Sequence, residues 1–257
     1  KKPCSMATTP KVSFKEINKI AIPAIIAGIA EPLISLTDIA VIGNIRENSV
    51  EALAAAGIVG SFLSAIIWIV AQTKTAISAI VSQHLGANRV HAVKTLIPQA
   101  IIFNLILSLV IYATTAFFAE SIFSAYNAEG LILTYTEDYY TIRAMGYPLT
   151  LVTFAIFGVF RGLQNTLWAM KCSLAGAAVN IGLDYVLVYG IEGFIPPLHL
   201  KGAAYASLAA QATMLMMAFY FFFKKTPFHL KLSFNLNPQM KPLLVMAANL
   251  FVRTAAL

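Results

Sequence analysis

Residues 17–45, INKIAIPAIIAGIAEPLISLTDIAVIGNI, decide how the whole chain is read. The run is long enough to cross a bilayer, for which about 20 apolar residues suffice. It nevertheless contains Glu31, Asp38, Pro23 and Pro32. An ionised side chain at the centre of a span costs about 2.5 kcal/mol or more, so each carboxylate needs a reason. Glu31 and Asp38 stand two turns apart on one helix face, and that face must point into protein or water rather than lipid. Each proline removes a backbone hydrogen bond and bends the helix. A bent helix with carboxylates on one face has the makings of a moving part. The plainer reading is two structural carboxylates held by polar neighbours, with two ordinary prolines.

The remainder of the chain is just as apolar. Charged residues make up 11% of the 257 and the mean hydropathy is +0.76, against about 25% charge in a soluble domain. So little charge cannot cover a water-facing surface, and a bilayer is the natural solvent. Apolar segments run from about Ile17 to Ile45, Leu53 to Val81, Val93 to Phe118, Tyr140 to Phe160, Ala169 to Tyr189 and Ala203 to Phe223. A seventh begins near Pro242 and is cut off at Leu257. Backbone polar groups cannot stay unpaired in hydrocarbon, and the runs lack the alternation of barrel strands, so all are predicted to be helices. Turn-forming residues join them: 84–88, 126–130, 162–166, and 193–198 with Pro196 and Pro197. Residues 224–241, with Pro227 and Pro238, read as a linker between two structural units.

Charge gives the orientation. Lys1, Lys2, Lys11, Lys15, Lys19, Arg89, Lys94, Arg161, Lys171, Lys224, Lys225, Lys231 and Lys241 fall at one set of segment ends. The opposite ends hold Arg46 and Lys201 against Glu47, Glu51, Glu120, Glu129, Glu137, Asp138 and Glu192. By the positive-inside rule the N-terminus and the 224–241 linker are cytoplasmic. The net charge of +7 is spread through alternate loops rather than gathered on a face with stacking aromatics, which argues against a nucleic-acid partner.

Other buried polar residues are candidates for chemistry. Asp184 follows Asn180 by one turn, so a carboxylate and an amide oxygen are neighbours, a hard-oxygen pair suited to Na⁺ or a shared proton. Lys74 either neutralises an acid from the second segment or snorkels to an interface. Trp68, Tyr147, Trp168 and the mid-span phenylalanines line a hydrophobic pocket, or belong to the interfacial belt and the core. Met214, Met216 and Met217 crowd nearly all faces of the sixth segment, as packing residues do. Cys4 and Cys172 are too few for a disulfide framework. The chain has no phosphate-binding glycine loop, no His-Glu-x-x-His and no Cys-x-x-Cys, and His84, His91, His199 and His229 form no constellation, all of which argues against an enzyme.

Several stretches resemble one family. Ile22-Pro23-Ala24 and then Glu31-Pro32-Leu33-Ile34-Ser35-Leu36-Thr37-Asp38-Ile39-Ala40-Val41-Ile42-Gly43 look like the first helix of MATE (multidrug and toxic compound extrusion) exporters, especially the DinF-like branch. Ser82 to Ala87 resembles the cytoplasmic end of their second helix, and Phe160 to Thr166 their four-to-five loop. Ala175-Gly176 through Asn180 to Tyr185 resembles their fifth helix, and Lys201 to Ser207 the start of their sixth. The resemblance implies two six-helix lobes related by a pseudo-two-fold axis, expelling mainly cationic, amphipathic compounds against Na⁺ or H⁺ entry. It implies a cation or proton site at Asp38, Asn180, Asp184 and Ser207, with Na⁺ taken by the first three. Ser207 stands where Thr is usual and keeps the hydroxyl. Pro23 matches the proline at which the first helix bends. Glu31 falls where relatives vary and there faces substrate, with Ile34, Tyr147 and Phe154 as further pocket candidates. Asn165 stands where the family usually has Asp.

The expectation is therefore an all-α polytopic membrane protein: a cytoplasmic tail (1–16), a six-helix N-lobe (17–223), an inter-lobe linker (224–241) and a truncated seventh helix (242–257). The second lobe is implied beyond this sequence. The expected function is antiport of drug-like small molecules across the inner membrane in exchange for Na⁺ or H⁺, with no cofactor beyond that ion. A lipid-linked oligosaccharide flippase of the same superfamily would show a broad cationic groove. Only Lys74 and Arg143 are plausible intramembrane cations in the first six segments. A membrane-embedded lipid enzyme would need a nucleophile or metal site, and a non-transporting scaffold or receptor would not need Asp38 and Asp184 buried.

Overall fold

The computed structural model describes residues 13–45, 48–231, 233 and 235–256, with the side chains of Glu16, Glu31, Val90 and Ala255 left out. The readings that fall on Lys1, Lys2, Cys4, Lys11, Arg46, Glu47 and Leu257 lie outside the described residues. The described chain is helical: α1 (Phe14–Gly43), α2 (Ser49–Val70), α3 (Gln72–Gly86), α4 (Leu96–Phe117), α5 (Ala119–Ala125), α6 (Gly130–Ala144), α7 (Gly146–Gly162), α8 (Leu167–Tyr189), α9 (His199–Lys225) and α10 (Met240–Ala255). A single 3₁₀ turn, Val90–Val93, precedes α4.

Among the described residues, five runs are long and apolar enough to cross a membrane: Ile17–Gly43, Ser49–Gly86, His91–Phe117, Leu167–Tyr189 and His199–Lys225. The pair α6 and α7, bent by 41° at their junction, makes a sixth. Here the structure corrects the sequence reading. The fourth segment begins at Gly130 rather than near Tyr140, and Glu137 and Asp138 lie on a helix rather than in a loop. Hydropathy missed the start of α6 because it is rich in polar groups, yet several of those groups are satisfied. Thr134, Thr136 and Thr141 donate back to the carbonyls of Gly130, Ile132 and Glu137. Asp138 pairs with Lys201 at 3.0 Å. The second segment likewise divides at Ala71 into α2 and α3, and the short α5 was not anticipated.

Helix ends follow local chemistry. Asn88 and Asn127 adopt positive φ just after α3 and α5. The next amides, of Arg89 and Ala128, bond back to the carbonyls of His84 and Phe123, a Schellman stop that Asn tolerates better than most residues. Packing then rests on small residues, as expected where lipid supplies no hydrophobic drive between helices. The most extensive contact is α8 against α9, followed by α1 against α8 and α3 against α7. At Gly202 a Cβ would lie 2.5 Å from the Leu187 carbonyl oxygen, so α9 meets the α8 backbone there. At Gly158 a Cβ would lie 2.7 Å from the Lys74 carbonyl oxygen.

Two apolar clusters form. One joins α3, the start of α4, α7, the end of α9, Phe228 and α10. The other joins the end of α1, α2, α5, α6 and the start of α9. Between α3 and α4, Thr73 donates a buried hydrogen bond of 2.7 Å to Asn104. The segment before α10 is strapped to α4: Gln99 donates to the carbonyls of Ser233 and Asn235 and accepts from the Asn237 amide.

Candidate functional site

Asp38 comes from α1, Asn180 and Asp184 from α8, and Ser207 from α9. The α1–α8 and α8–α9 contacts bring all four inside the bundle. Asn180 and Asp184 are 0% exposed, Ser207 3% and Asp38 7%. Asn180 Nδ2 donates to Ser207 Oγ at 3.4 Å, and Ser207 Oγ donates to Asp38 Oδ2 at 3.4 Å. The Asp184 carboxyl lies beside that of Asp38, near enough for the two to share a proton. Asp38 Oδ1, Asn180 Oδ1 and both Asp184 oxygens meet no donor. Buried polar atoms are nearly always paired, and these are acceptors only. What would satisfy them is a proton between the carboxylates or a hard cation among the oxygens.

The helix that carries Asp38 is held at both ends. Thr166 donates to the Ile20 carbonyl at 2.7 Å and Tyr189 to the Val41 carbonyl at 2.9 Å. Between these ties lie Pro23, which is buried, and Pro32, both inside a continuous α1.

The substrate-pocket candidates are less coherent. The Glu31 side chain lies outside the described residues, and Ile34 is half-buried. Tyr147 and Phe154 share α7 but are buried in separate apolar clusters. Lys74 sits over the Phe154 ring with Nζ 4.4 Å from its centroid. A cavity of about 630 Å³ does exist between α2, α3, α4 and α10, with Phe103, Ile111, Leu244 and Phe251 among its walls, and Ile34, Tyr147 and Phe154 do not line it. Trp68 is 70% exposed, which fits a belt or lipid-facing position. Trp168 packs edge-on against Phe160 at 5.3 Å.

Sequence reasoning named Arg143 as an intramembrane cation without tying it to the acids, and it did not single out Tyr139. Arg143 Cζ lies 5.7 Å from the Tyr139 ring centroid. Arg143 is within electrostatic reach of Asp184, and Tyr139 is within reach of both aspartates. Their one-turn spacing was a usable signal, but Tyr139 fell just before the start of the predicted fourth segment, next to Glu137 and Asp138.

Comparison with known proteins matches this geometry to a family. A profile described as MatE covers residues 23–186. A protein named probable multidrug resistance protein NorM, from Haemophilus ducreyi, is 26% identical over 210 residues, 81% of this chain and 44% of its own length. Multidrug resistance protein NorM of Vibrio cholerae is 28% identical over 236 residues, 91% of this chain and 50% of its own. A crystal structure of MATE in the bent conformation matches with a TM-score of 0.83 at 23% identity, covering 94% of this chain and 53% of that one. The chain thus spans about half the length of the curated relatives it matches.

Proposed function

This chain belongs to the MatE family, and from that premise we propose that it is the N-terminal lobe of a secondary antiporter that exports cationic or amphipathic small molecules in exchange for Na⁺ or H⁺. The names of its relatives, multidrug resistance proteins, support the substrate class. The observation that carries the coupling role is the cluster of donor-less oxygens on Asp38, Asn180 and Asp184 inside the bundle.

The mechanism follows from electrostatics. Two adjacent buried carboxylates repel one another unless a positive charge stands between them. An entering Na⁺ or proton removes that repulsion, and only one helix arrangement need hold the carboxylates close. Binding therefore carries a differential free energy between arrangements, which any coupled transporter requires. Asp38 transmits it, because α1 contains Pro23 and Pro32 and is tied to α8 at Ile20 and Val41. A change in the bend at Pro23 alters the inner face of α1, where substrate is released outward. The second lobe of the full-length protein supplies the other wall of the cleft. The protein sits in the inner membrane with its N-terminus in the cytoplasm, as the lysines and arginines at one set of helix ends favour.

Asp38→Asn in the full-length protein tests this. Reconstituted in proteoliposomes, it is expected to lose ion-driven dye efflux while remaining folded. Efflux with wild-type rate and cation dependence overturns the reading.

A further inference from the structure

The segment that joins α9 to α10 is fastened to the bundle by two buried amides. Gln99, in the first turn of α4, donates from Nε2 to the carbonyls of Ser233 and Asn235, at 3.1 and 2.8 Å. Its Oε1 accepts from the Asn237 amide at 2.9 Å. Asn237 ties the segment a second time: Nδ2 donates to the Ala92 carbonyl at 2.9 Å and to Thr95 Oγ1 at 2.7 Å. Its Oδ1 accepts from the Gln239 amide at 2.8 Å and its carbonyl from the Met240 amide at 2.9 Å, so the same residue also starts α10. Gln99 and Asn237 are both buried, and apolar contacts flank them. Phe228 is fully enclosed and shares one cluster with Val93, Leu96, Met240, Leu243 and Ala247. Toward its end α10 is less enclosed, with Phe251 and Val252 exposed.

We propose that Gln99 and Asn237 form a latch that keeps the start of α10 part of the N-lobe throughout the transport cycle, so that the second lobe swings about a point in α10 beyond Ala247 and not about the linker. Linkers between structural units are ordinarily exposed, with few contacts crossing them. This one is buried at Phe228 and Asn237 and is bonded to α4. Opening the latch withdraws donors from the carbonyls of Ala92, Ser233 and Asn235 and bares the Phe228 ring, both unfavourable. Bending α10 beyond Ala247 breaks none of these contacts, so it is the lower-cost motion. The role in a transport cycle rests on the function proposed above; the attachment itself does not.

The test uses the full-length transporter with its native cysteines replaced by serine. Thr95→Cys with Asn237→Cys removes the side-chain bonds of Asn237, and dye efflux from proteoliposomes is expected to fall about tenfold. Joining the two thiols with a short bis-methanethiosulfonate linker is expected to bring efflux back to within about twofold of wild type, because a tie that never opens then replaces the latch. Efflux that stays low or stops once the thiols are joined overturns the proposal, as does wild-type efflux from the unlinked variant. A second measurement leaves Thr95, Gln99 and Asn237 intact. Spin labels on Arg89→Cys and Lys241→Cys, both exposed positions, are expected to keep one separation in Na⁺-loaded, proton-loaded and dye-loaded protein. A separation that changes with the load overturns the latch. The labels read attachment even where Asp38→Asn retains wild-type, ion-dependent efflux, an outcome that defeats the coupling role and leaves the latch standing.

Discussion

Ser207 is the smallest member of the site and the one that joins its helices, accepting from Asn180 on α8 and donating to Asp38 on α1. Both bonds are long, and bonds near 3.4 Å are weak. A single hydrogen bond to a carboxylate is still worth about 1 kcal/mol or somewhat more. Ser207→Ala is therefore expected to raise the cation concentration for half-maximal efflux about fivefold, while Ser207→Thr, which keeps the hydroxyl, stays near wild type. Equal behaviour of the two variants would mean that the hydroxyl does not orient Asp38. Asp38, Asn180, Asp184 and Ser207 were legible in the sequence, two from the expense of a carboxylate in a span and the set from resemblance. Tyr139 was not, because Glu137 and Asp138 beside it put the start of its helix too late.

At the scale of elements, the site depends on how closely α8 and α9 approach. Gly202 is where that approach is tightest, facing the backbone of Leu187 and Val188 rather than a side chain that could swing away. Gly202→Ala is expected to force the helices apart and to cost about 1–3 kcal/mol, read as a lowered unfolding midpoint in detergent and a weaker cation response. Gly193, where a Cβ would meet nothing within 4 Å, marks the contrast: there only its positive φ constrains the residue. The bent α6–α7 pair belongs to this scale too. Its threonines satisfy their hydroxyls within the helix, so a stretch of low hydropathy is buried as a continuation of a span. Hydropathy counts side-chain polarity and is blind to whether that polarity is already paired.

At the scale of the molecule, the proposed orientation rests on the positive charges at one end of the helices. In a full-length protein with all its native cysteines, Cys4 and Cys172 included, replaced by serine, Lys225→Cys is expected to react with an impermeant maleimide only in inverted vesicles. Glu192→Cys is expected to react only in right-side-out cells, and labelling with the opposite polarity would reverse the assignment. The sequence by itself determined that the chain is a set of apolar helices for a bilayer, where most of them start and stop, and which acids are too costly to face lipid. These follow from the transfer cost of each residue and its neighbours along the chain. Only the tertiary structure decided that Asp38 meets Asp184, that Ser207 bridges their helices and that Tyr147 and Phe154 lie in separate clusters. Those facts depend on the rotation and closeness of helices distant in sequence. Steric contacts such as Gly202 against Leu187 set both, and they leave no periodic trace in the chain.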